Sequence, residues 1–68
     1  MLLHLRYDGR SLDMPLGSLD LGQHSSDREI KVAVANRLSE SSQKFEHFVI
    51  DRNRSTGDIT VRPQAVFG

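Results

Sequence analysis

The residue with the clearest chemical use is Gly68, which follows Pro63, Gln64, Ala65, Val66 and Phe67. A glycine in that place carries no side chain to obstruct a narrow enzyme channel, and its carboxylate is open to activation and transfer. The expected conjugation or activation site is therefore Gly68. Val66 and Phe67 are expected to form the extended apolar part of the tail that a partner's channel grips, and the equal competing expectation is that Phe67 folds back to cover the sheet. All catalysis would belong to partners, so the chain is not expected to be an enzyme and no cofactor is implied.

The other reactive side chains lack the spacing that chemistry requires. His4, His24 and His47 are far apart and no cysteine accompanies them, so no recognised metal-ligand pattern is present. Glu46 beside His47 suggests an acid/base pair, but neighbours on a strand point to opposite faces, and surface charge is the simpler account. Gly17 and Gly22 are separated by Leu19 and Leu21 without the lysine of a phosphate-binding loop. A chain of 68 residues buries only about 60% of its unfolded surface, which leaves little room for an enclosed pocket of about 300 Å³ or more.

Composition narrows the class further. The absence of cysteine excludes a disulfide framework and a catalytic thiol, with a lean towards the cytosol. Nine basic and nine acidic residues balance, which disfavours nucleic acid as a partner. Arg52-Asn53-Arg54, with Arg62 across a hairpin, is a local basic exception, and it reads as a solvated turn. The N-terminus lacks the charged start and long apolar run of a signal peptide. No stretch approaches the roughly 20 apolar residues of a membrane span. The expectation is a soluble cytoplasmic domain with no membrane or nucleic-acid partner.

Strong local signals define the elements that would position the tail. Asp8-Gly9 is a favoured type I′ turn between two runs of period-two alternation. Pairing Tyr7 with Arg10 sets Leu5 opposite Leu12 and Leu3 opposite Met14 on the core side, and His4 opposite Asp13 and Arg6 opposite Ser11 on the other. Gly17 to Ser25 has no clear period, and Leu19 and Leu21 either extend the second strand or fold back over the core. Ser26-Asp27-Arg28-Glu29 has the form of a capping box, and Asp27 and Glu29 suit the positive end of a helix. Ile30, Ala33, Val34 and Leu38 then make one apolar stripe, with Arg28, Lys31 and Asn36 outward. The serine cluster from Ser39 to Ser42 ends the helix.

Beyond it, Phe45 is expected to cap the core on the helix side. Phe48 and Ile50 alternate with His47, Val49 and Asp51, and Ile59 and Val61 alternate with Asp58, Thr60 and Arg62. Pro63 cannot donate to a sheet ladder, so regular pairing should stop near it. The predicted order is strand, strand, helix, strand, strand: an α+β, β-grasp-like (ββαββ) domain over residues 1–62, with a four-stranded mixed sheet packed on a single helix and a tail over 63–68. A right-handed crossover places the first and last strands in the centre.

In this architecture, with a hairpin starting at residue 1, one central helix, a returning strand pair and a short tail ending in glycine, the chain resembles the ubiquitin-like family. Ubiquitin and the sulfur carriers end in a double glycine, whereas Phe67 precedes Gly68 here, closer to the autophagy-type modifiers. The resemblance implies a protein modifier or carrier, with an activating enzyme and a target protein as partners. Activation would proceed by adenylation of Gly68, followed by thioester formation and conjugation to an amine, or by thiocarboxylate formation. The alternative is a non-catalytic interaction module that binds through the open sheet face, which His4, Arg6, Val49 and Thr60 would line. A monomer is expected, with edge-strand pairing as the route to a dimer.

Overall fold

Asp8 and Gly9 both take positive φ, 50° and 73°, as a two-residue type I′ turn requires. The hairpin they close is the first unit of the computed structural model, which describes residues 1–64. Strands β1 (Leu2–Tyr7) and β2 (Arg10–Pro15) pair antiparallel in the predicted register, with Tyr7 opposite Arg10, Leu5 opposite Leu12 and Leu3 opposite Met14. Helix α1 spans Asp27–Leu38, and strands β3 (Val49–Arg52) and β4 (Ile59–Arg62) complete the elements. The sheet order is β2-β1-β4-β3, with β1 and β4 parallel in the centre and the other pairs antiparallel. This is an α+β fold of β-grasp-like arrangement, a four-stranded mixed sheet packed on a single helix.

The helix begins where its capping chemistry places it. Ser26 Oγ accepts from the Glu29 amide at 3.1 Å, and Glu29 Oε1 accepts from the Ser26 amide at 3.3 Å, satisfying donors that the first turn leaves without intrahelical partners. It ends at Ser39, which adopts the left-handed conformation. Its buried face differs in one position from the expected stripe. Ile30 and Val34 are buried, but the third fully buried residue is Ala35, while Ala33 is only half-buried. Lys31 does not point freely into water either, since its ammonium donates to the Glu46 carbonyl at 2.8 Å.

Two short 3₁₀ turns close the core. The first, Leu16–Leu19, settles the segment without periodicity: it folds back instead of extending β2, burying Leu16 and packing Leu19 and Leu21 against the core. The second, Ser42–Phe45, inserts Phe45, the largest fully buried side chain. Tyr7 and Phe48 pack on its ring, with centroids at 5.5 and 4.9 Å, within the range in which aromatic pairs attract. Leu3, Leu5, Met14, Ile59 and Val61 complete the core from the sheet. No polar side chain is buried among the described residues.

Candidate functional site

The pleat of the sheet decides which side chains share its open face. Leu3 and Leu5 on β1 and Ile59 and Val61 on β4 point to the helix, so His4, Arg6, Thr60 and Arg62 stand on the opposite side. The registers align these residues in rows across the strands. In one row, Asp13 is opposite His4, His4 is beside Thr60, and Thr60 is opposite Asp51. In the next, about 7 Å along the strands, Arg6 is opposite Ser11 and Val49 is opposite Arg62. The four residues expected on this face, His4, Arg6, Val49 and Thr60, therefore do share it. Arg6 is exposed and the other three are half-buried.

His4 is the most connected of them. Its Nδ1 is 2.7 Å from Asp13 Oδ1 and its Nε2 is 3.6 Å from Asp58 Oδ2. The second Asp58 oxygen accepts from the Leu2 amide at 2.8 Å. The hydrogen bond to Asp13, helped by the negative charge of both carboxylates and opposed by partial loss of water, holds the His4 pKa above its ordinary value. Asp58 moves the other way, chiefly because the Leu2 amide stabilises its charged form.

Sequence reasoning found Asp13 through the hairpin register but missed Asp58. That residue lies in the turn before β4 and meets His4 only because β1 and β4 pair in parallel. Arg52 at the end of β3 and Asn53 and Arg54 in the turn after it are exposed, as the solvated-turn reading expects, and Arg52 and Arg62 do not join in a basic spot. Arg52 turns to the helix side, where it binds Asp27 at 2.6 Å and the Gln23 carbonyl at 3.3 Å, while Arg62 on the open face binds Asp51 at 2.9 Å. Successive residues on strands alternate in face, so Arg52 and Arg62 could share a side only in a different register. The open face thus carries Asp13, Asp51 and Asp58 against Arg6 and Arg62, and it is electrically neutral when His4 holds its proton.

A separate concavity of about 680 Å³ lies between the start of α1 and the β3–β4 turn, lined by His24, Ser26, Asp27, Arg52, Arg54 and Asp58 among others. Three of these side chains are already engaged: Ser26 caps the helix and Asp27 holds Arg52. Among the described residues, no group of three or more His, Asp or Glu side chains is placed to hold a metal ion, and no helix is long and apolar enough to cross a membrane. Val66, Phe67 and Gly68 lie outside the described residues. Pro63 and Gln64, which lead to them, are exposed.

Fold and face together define a small α+β domain with one sheet surface covered by its helix and the other presenting ordered polar rows. No family model matches this chain, and neither a curated protein nor a solved structure matches it.

Proposed function

We propose that this chain is a ubiquitin-like, non-catalytic domain whose work is done by proteins that bind the open face of its sheet. The observation that carries this reading is the face itself: β1, β4 and β3 present His4, Arg6, Thr60 and Val49 in register, opposite the surface that α1 covers. Backbone pairing holds the rows in place, so a partner would meet a preformed surface with little ordering cost. The mixture of charges of both signs favours a polar protein surface of complementary pattern over a uniformly charged polymer.

The more specific form of the proposal is a modifier or carrier, in which an activating enzyme adenylates the Gly68 carboxylate while Val66 and Phe67 occupy its channel. Its support is the central position of β4, which delivers Pro63 and Gln64 exposed at the end of the sheet. One experiment addresses both forms. The protein is incubated with ATP and cell extract, and its products are followed by intact mass and by affinity capture. It is compared with an Arg6→Glu/Thr60→Arg variant and with a chain lacking residues 65–68. Weakening of capture by about tenfold in the face variant is the expected result, and an unchanged set of bound proteins would overturn the face reading. A covalent adduct, adenylate or thiocarboxylate at Gly68 is expected for the modifier form. Full activity of the shortened chain would overturn that form alone.

A further inference from the structure

We propose that His4 is a proton-operated clamp at the open end of the first hairpin: with its proton it ties Asp13 of edge strand β2 and Asp58 ahead of β4 to β1, and without it those ties weaken. The geometry rests on three segments meeting at one ring. Nδ1 lies 2.7 Å from Asp13 Oδ1, a hydrogen bond, and Nε2 lies 3.6 Å from Asp58 Oδ2, an ion-pair distance. A neutral imidazole has one N–H and one lone pair, so it must turn a lone pair towards one of the two carboxylates. The imidazolium presents an N–H to both.

The clamp extends beyond the ring. Asp58 also accepts from the Leu2 amide at 2.8 Å, and Leu2 is the β1 residue opposite Pro15 at the end of β2. The hairpin is closed by Asp8-Gly9 at its other end, and at this end the side-chain ties add to the backbone bond from the Leu16 amide to the Met1 carbonyl at 3.1 Å. The charged groups around His4 on the open face are Asp13 on β2, Asp58 before β4, Arg6 further along β1 and, beyond Thr60, Asp51 with its partner Arg62. The core side chains of the sheet and α1 lie on the other face and carry no charge against the ring. The two charged groups within 4 Å of the ring are anions, and Arg6 stands one pleat away along β1.

The sign of the pH dependence follows. The folded-state pKa of His4 is raised above its ordinary 6.5, so the clamp's contribution is complete below 6.5 and is lost as pH rises through the raised value. Asp58 is lowered from its ordinary 3.8, so its contribution is complete above 3.8 and is lost as pH falls through the lowered value. The clamp is strongest between the two ordinary values.

The test combines urea unfolding at several pH values between 5.5 and 8.5 with NMR titration of the His4 ring and the Leu2 amide. The folding equilibrium constant is expected to fall roughly two- to fivefold across that range, the scale of an exposed ion pair, with a midpoint that matches the ring titration and the Leu2 shift. His4→Gln should remove the fall, while His24→Gln and His47→Gln retain it. Asp13→Asn should move the ring's midpoint down. A pH-independent wild type, a fall that persists in His4→Gln, or a ring titrating at or below 6.5 would overturn the clamp. The ring titration of the wild-type protein decides the matter even where a variant folds poorly.

Discussion

Gly57 shows how one residue can matter without a side chain. It is buried, has φ of 79° and donates its amide to the Asn53 carbonyl at 2.7 Å. Met1 and Gln23 side-chain atoms occupy the space where a Cβ would project. Those two side chains are flexible and can withdraw, so the remaining penalty is the left-handed backbone. Gly57→Ala should destabilise the domain by about 1–2 kcal/mol, whereas Gly17→Ala and Gly22→Ala, with open space around them, should stay within about 0.5 kcal/mol. Urea unfolding midpoints would separate the three. In sequence Gly57 was only one member of a polar loop, because its φ is set by the closure of Asn53 on Asp58, whose backbone bond is 2.9 Å.

At the scale of the element, α1 depends on its first turn. Ser26 and Glu29 exchange side-chain and backbone bonds there, and Arg52 from β3 reaches Asp27 at 2.6 Å. Ser26→Ala should destabilise the protein by about 1 kcal/mol, and Ser26→Asp should retain most of the stability, since a carboxylate can accept the same bond and suits the helix dipole. A shift in the unfolding midpoint at unchanged slope would show a loss of stability without a change in the compactness of either state. The start of α1 was legible because capping is a contact between residues three apart in sequence. Its rotation was not. Ala33 and Ala35 lie on either side of Val34 at about 100° each, and either alanine suits a core flank. The structure chooses Ala35, with α1 packed more extensively on the Ser42–Phe45 turn than on Leu16–Leu19.

For the whole molecule the central fact is a small core with Phe45 in its middle, fully buried beneath Tyr7 and Phe48. Below about 70–80 residues a single core rarely supplies more than about 3–5 kcal/mol, and truncating a buried phenylalanine costs about 3–5 kcal/mol. Phe45→Ala should therefore unfold most of the population at 25 °C, seen as loss of dispersion in an NMR spectrum, while Phe45→Leu should remain folded with a lower midpoint. Of the two free edges, β3 has only four residues, and the six-residue β2 ends at Pro15, which has no amide to donate and whose carbonyl accepts from Ser18 at 2.8 Å. A short strand at one edge and a proline on the other limit pairing between molecules.

The sequence by itself determined the hairpin at Asp8-Gly9 and its register, the helix that starts after Ser26 and the face assignment of His4, Arg6, Val49 and Thr60, and it favoured a central placement of the first and last strands without fixing the strand order. These rest on interactions between near neighbours, on the alternation of side chains along a strand and on the handedness of crossovers. Only the tertiary structure decided that Leu19 and Leu21 fold back, that Ala35 enters the core, that Arg52 and Arg62 part to opposite faces, and that Asp58 stands beside His4. Each of those depends on how distant segments settle against one another, above all on the parallel pairing of β1 with β4 across more than fifty residues of chain. A one-residue slip in that pairing would have turned every side chain of β4 to the other face. Burying Ile59 and Val61 against α1 is what prevents it, and the same choice of register sets Asp58 against His4.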